Sequence, residues 1–141
     1  MLTRALLVLV LLGGSLALPV EAKGETKLLA LGLTDHAATE ADLAAGKTLP
    51  VPKFNTPGVA YALLGDLKAG DSVEVSINNE KRSLVHNTET LAEDRPTFLL
   101  HAGKQGVPAG GWPEGTYHAA VKVTRDGKVL IEQSSEPVAF E

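Results

Sequence analysis

Side chains alternate between apolar and polar along residues 72–78 (SVEVSIN), with Val73, Val75 and Ile77 on one side and Ser72, Glu74 and Ser76 on the other. A period of two marks a strand with one packed face and one wet face. Residues 116–124 (TYHAAVKVT) repeat it, with Tyr117, Ala119, Val121 and Val123 inward and His118, Ala120, Lys122 and Thr124 outward. Asp126-Gly127 then suits a tight hairpin. Residues 129–131 and 137–140 complete the edge, with a break at Glu136-Pro137. Upstream, residues 27–34 (KLLALGLT) are mostly apolar without a helical stripe and read as a first strand. Residues 58–64 (GVAYALL) put Val59, Tyr61 and Leu63 on one side of a buried strand, with turns at Gly65-Asp66 and over 68–71. Asn78-Asn79 accepts the positive φ of a hairpin, so residues 81–87 (KRSLVHN) return as an antiparallel partner. Residues 88–95 read as a polar crossover, and 96–101 (PTFLLH) as a short strand with Phe98 and Leu100 in the core and Leu99 and His101 on the other face.

Three segments break the alternation. Residues 35–46 (DHAATEADLAAG) carry a candidate cap at Asp35, early Glu40 and Asp42, and a terminating Gly46, the pattern of a short helix. An irregular connection with one helical turn leaves the same trace, because isolated helices of this length are marginal. Residues 47–57 (KTLPVPKFNTP) lose ladder donors at Pro50, Pro52 and Pro57 and read as a linker or edge segment, with Phe54 as its one large apolar anchor. Residues 102–115 are too rich in Gly and Pro for regular structure. About seven short strands with turns between them predict an all-β fold, an immunoglobulin-like β-sandwich, with a closed barrel as the alternative.

The first residues change the picture of where this domain works. Arg4 precedes an apolar run from Ala5 to Leu18, then Pro19 and Val20-Glu21-Ala22, the layout of a secretory signal peptide. The run is shorter than the roughly 20 residues that a spanning helix needs, which predicts cleavage rather than anchoring. Residues 1–22 are therefore expected to be a helical signal peptide, leaving residues 23–141 as one sandwich domain without a membrane span. The chain has no cysteine, so it has neither a lipidation site nor a disulfide. That composition points to a bacterial periplasm, or otherwise to secretion, rather than to an animal secretory route. Arg4 and Glu21 leave together, so the net charge of −4 is unchanged. Lys and Arg are scattered, with only Lys81-Arg82 adjacent, which argues against nucleic acid as a partner.

Gly111-Trp112-Pro113-Glu114-Gly115-Thr116-Tyr117, followed by Val121-Lys122-Val123 and Asp126-Gly127-Lys128, resembles the end of bacterial immunoglobulin- or fibronectin-III-like domains of exported proteins. The resemblance covers about the last two-thirds of the mature chain. It implies a sandwich in which Tyr117 packs its ring and reaches local backbone with its hydroxyl, while Trp112 lids the open end. It says almost nothing about function, since such domains serve adhesion, chaperone, carrier and enzyme-appended roles alike. The disulfide and core tryptophan of antibody domains have no counterpart here.

Candidate chemistry is sparse. His36, His86, His101 and His118 form no ligand-spaced pair, and Met1, the single methionine, leaves with the leader. No G-x-S-x-G is present, Ser76 and Ser134-Ser135 have ordinary polar neighbours, and Glu93-Asp94 are adjacent rather than opposed. The expectation is a non-enzymatic domain without a cofactor, contacting another envelope protein through loops or a sheet edge. The first binding candidate is the glycine-rich loop with Trp112, which is a lid if buried and a stacking platform if exposed. The second is the outward face carrying Glu74, Ser76, His118 and Lys122. A carbohydrate-binding module using Trp112 and a metal carrier using surface histidines are the alternatives; partner identity and oligomeric state are not written in the sequence.

Overall fold

A computed structural model describes residues 25–104, 107 and 110–141; the expected signal peptide lies outside them. In chain order the elements are β1 (Lys27–Thr34), α1 (Glu40–Ala44), β2 (Gly58–Leu67), β3 (Ser72–Asn79), β4 (Ser83–Thr90), β5 (Arg95–Lys104), β6 (Thr116–Arg125), β7 (Lys128–Ser134) and β8 (Val138–Ala139). They form two antiparallel sheets, one ordered β1-β2-β5 and the other β4-β3-β6-β7, with β8 beside β6. The expected all-β sandwich is what folds, with eight strands because the chain breaks after β7 and resumes as the two-residue β8. No helix among the described residues is long and apolar enough to cross a membrane.

The inward residues of the two alternating strands meet those of the other sheet. Val73, Val75 and Ile77 from β3 and Tyr117, Ala119, Val121 and Val123 from β6 share one core with Ala60, Ala62 and Leu64 from β2 and Phe98, Leu100 and Ala102 from β5. Leu28, Leu31 and Leu33 close it from β1. A register shift there leaves Leu29 as the extra residue, because Leu28 faces Leu64 while Ala30 already faces Leu63. In β2 the set Ala60, Ala62 and Leu64 points inward, and Val59, Tyr61 and Leu63 face outward. That outer face is also covered, which explains the unbroken apolar run. The segment after β1 lies over it: Ala38 is buried, its carbonyl oxygen sits 2.7 Å from His101 Nε2, and Thr97 Oγ1 donates to Glu40 Oε1 at 3.2 Å. A carbonyl can only accept, so His101 carries its proton on Nε2.

Several local expectations are corrected. α1 is capped by Thr39, whose Oγ1 accepts from the Asp42 amide at 3.1 Å, whereas Asp35 is spent on His36. Gly65-Asp66 makes no turn; β2 runs on to Leu67 with Asp66 at a φ of 58°. The β3–β4 turn takes no positive φ at Asn78 or Asn79. Instead Asn79 Oδ1 accepts from the Lys81 and Arg82 amides, both at 2.8 Å, so its side chain replaces the special backbone. The crossover expected over 88–95 shrinks to residues 91–94, since β4 reaches Thr90 and β5 starts at Arg95. β5 also extends to Lys104 within the segment expected to be irregular, because Gly103 and Lys104 pair with Val59 and Gly58. In the 47–57 segment Pro52 is the buried anchor, and Phe54 stands 49% exposed.

Candidate functional site

The end of the sandwich beneath the glycine-rich loop is built around three rings. Tyr117, the second residue of β6, has its ring buried and stacked on Phe140 at 4.3 Å between centroids, and Trp112 meets both edge-on at 5.7 Å and 5.4 Å. Each polar tip finds local backbone. The Tyr117 hydroxyl donates to the Pro113 carbonyl, and Trp112 Nε1 donates to the Thr56 carbonyl at 2.8 Å. Burial raises the Tyr117 hydroxyl above its ordinary pKa, so it remains a donor across the neutral range. Trp112 is 6% exposed, which makes it a lid on the core and leaves no indole face open for stacking on a sugar.

What is exposed at this end is a strap, the part of the 47–57 segment around Val51 and Phe54, that runs beside Gly111 and Trp112. The Trp112 amide donates to the Phe54 carbonyl at 2.8 Å, and the Phe54 amide donates to the Glu141 carbonyl at 3.3 Å. The strap is thereby pinned between the loop and the chain after β8. Gly111 makes this approach possible: it holds a φ of 89°, and a Cβ there would lie 2.7 Å from the Phe54 ring and 2.9 Å from its carbonyl oxygen. The result is an open hollow of about 720 Å³ lined by Phe54, Trp112, Pro113, Glu114, Phe140 and Glu141. A second hollow shares Ala139 and Glu141 with it and continues past Val51, Pro52 and Lys53. Phe54 lines the first hollow and Val51, 48% exposed, the second, and the two hollows adjoin at Ala139 and Glu141 to make one groove. Neither a scan against protein-family models nor a search of curated proteins returns a match for this chain.

The second sequence candidate is assembled on the outer face of the larger sheet. Glu74 faces Lys122 across β3 and β6, and Lys122 faces Glu132 on β7. Asn78 faces His118, and Ser76 lies between His86 and Ala120. Glu74, His118 and Lys122 therefore share one surface with Ser76, as their outward phase required, and they line a hollow of about 260 Å³. It is lined mainly by polar residues, with Ala120 and Val121 as the apolar exceptions and no large exposed apolar side chain. Trp112 is not part of this face, so Trp112 on one side and Glu74, Ser76, His118 and Lys122 on the other form two separate surfaces.

The histidines are dispersed. His36 Nδ1 pairs with Asp35 Oδ1 at 2.8 Å, His101 is held by Ala38, and His86 and His118 stand on either side of β3. Among the described residues no group of three metal-ligating side chains comes together. Two of the serines considered as nucleophiles make structural bonds: Ser135 Oγ accepts from the Ala119 amide and Ser76 Oγ from Asn78 Nδ2.

Sequence reasoning missed Asp71, which is fully buried. Arg125 Nε and Nη2 donate to its two carboxylate oxygens at 2.8 Å, and the Lys68 amide adds a third bond at 2.8 Å. Arg125 Nη2 also donates to Thr26 Oγ1 at 2.8 Å, which in turn donates to the Asp66 carbonyl. The guanidinium bond holds the Asp71 carboxyl below its ordinary pKa. An aspartate in a turn and an arginine before Asp126-Gly127 look like solvated charges in sequence, and only their meeting reveals the clamp.

Proposed function

We propose that this chain is an exported, non-enzymatic accessory domain that contacts another envelope protein through the groove at the Trp112 end. The observation that carries the reading is the pairing of a rigid aromatic floor with an exposed wall. Trp112, Tyr117 and Phe140 lock one another and their polar tips in place, while Val51 and Phe54 offer apolar surface above them. Two half-exposed apolar side chains beside a concave hollow fit the anchor sites of protein interfaces. The strap is held by backbone bonds on both sides, so little ordering entropy is lost on binding.

The leader layout at residues 1–22 supports export, and the strand order together with the Tyr117 tie to Pro113 supports the resemblance to immunoglobulin- or fibronectin-III-like domains. The test is a photo-crosslinking amino acid placed at position 54, at position 74 on the polar sheet face and at position 130 on the β7 edge, in living cells. One discrete adduct from position 54 alone, lost in a Val51→Asp background, is the expected result. Equal labelling from all three positions, or labelling from 74 or 130 only, moves the contact elsewhere and overturns the reading.

A further inference from the structure

Charge is distributed unevenly along the groove, and that distribution describes what lies in it. Among the described residues the larger hollow is lined by two acidic ones, Glu114 and Glu141, with aromatic, proline, glycine and alanine residues and no basic one. Glu80 adds a third carboxylate at its rim, with Oε1 3.5 Å from where a Cβ on Gly115 would sit. Past Ala139 the acidity falls, because the smaller hollow sets Lys53 beside the shared Glu141. The Phe54 ring, half exposed, lines the acidic hollow beside Glu114 and Glu141.

An aromatic face next to carboxylates attracts a cation carried on an apolar stem, whose methylenes lie on the rings while the head group meets the acids. Phosphate-bearing polymers and anionic lipid surfaces are repelled by the same carboxylates. We infer that the groove takes an extended peptide segment of the partner in which a lysine or arginine flanked by aliphatic residues seats its cation between Glu114 and Glu141. The aliphatic neighbours lie along Phe54 and Val51, and the basic residue sits at the Glu114 end, away from Lys53. This inference rests on the function proposed above and adds to it the chemistry of the partner.

The experiment uses the isotope-labelled mature chain and three acetylated, amidated pentapeptides, Gly-Leu-Lys-Leu-Gly and its counterparts with Ser or Glu at the centre, titrated at low salt with amide resonances as the readout. The lysine peptide is expected to move the amides of Phe54, Trp112, Glu114 and Ala139 and to bind about tenfold more tightly than the glutamate peptide. Glu114→Gln should cut that preference about threefold, and 0.5 M salt should cut it further, whereas Glu74→Gln on the opposite surface should leave it intact. Equal affinity for the three peptides, or shifts confined to β3 and β6, overturns the assignment. Because the crosslink at position 54 is read separately, an adduct without lysine preference removes the charge assignment and keeps the groove. Absence of both removes both.

Discussion

Asp71 is the one charged residue among the described ones that is fully buried, and its surroundings decide how the fold responds to acid. Arg125 closes a two-pronged contact on it while remaining 30% exposed along its own side chain, so water screens the pair from one side only. Removing one partner of such a pair strands the other, at a cost of about 3 kcal/mol, the low end for buried pairs. Asp71→Asn is therefore expected to lower stability by about that amount at pH 7, measured by urea unfolding. The bond from Arg125 depresses the folded-state pKa of Asp71 below its unfolded value. A depressed carboxylate contributes stability above the unfolded value of about 3.9 and loses it as pH falls through the lower folded value. The gap between wild type and Asp71→Asn should therefore narrow below pH 4. An equal gap at pH 7 and pH 2.5 would mean that the hydrogen-bond geometry matters and the charge does not.

At the scale of elements, the β6–β7 hairpin shows how local chemistry and sheet register cooperate. Asp126 and Gly127 both take positive φ, 52° and 79°, as a two-residue turn between twisted strands demands. Nothing lies within 4 Å of a Cβ on Gly127, so Gly127→Ala tests backbone strain without a clash. The expected cost is about 1 kcal/mol in thermal or urea unfolding, and no loss would show that the turn relaxes freely. This hairpin was legible because its signal is local, as were β3 and β6, whose alternation needs only one buried face. β2 was legible as a strand but not in its facing, because Leu63 on its outer side is buried as well and the apolar run marks neither side. The ends of β4 and β5 were misread for a related reason: Thr88, Glu89 and Thr90 are polar because β4 is an edge, and Gly103 pairs because β2 reaches it. The Trp112 loop was readable in the sequence as a binding candidate, yet the groove beside it was not. Its wall comes from Val51 and Phe54, whose exposure depends on Pro52 taking the core position and on a strap pinned by residues far along the chain.

Over the whole molecule, the chain crosses between the sheets after β2, after β4 and again after β5, so neither sheet is complete until the other has formed. The clamp of Thr26, Asp71 and Arg125 ties the approach to β1 to the start of β3 and the end of β6, across the two sheets. The aromatic end is built from β6, β8, the strap and the loop, which makes Trp112 a reporter of the entire assembly. A fold so interleaved unfolds as one unit, and urea transitions followed by far-ultraviolet dichroism and by Trp112 emission are expected to coincide. Val75→Ala, at the centre of the shared core, should shift both transitions together by about 2 kcal/mol. The outcome bears on function as well as stability. If Trp112 emission changed at lower urea than the dichroism, the strap and loop would loosen while the sheets persist. A groove that loosens first would have to order itself around its partner, and the advantage of a preformed site would be gone.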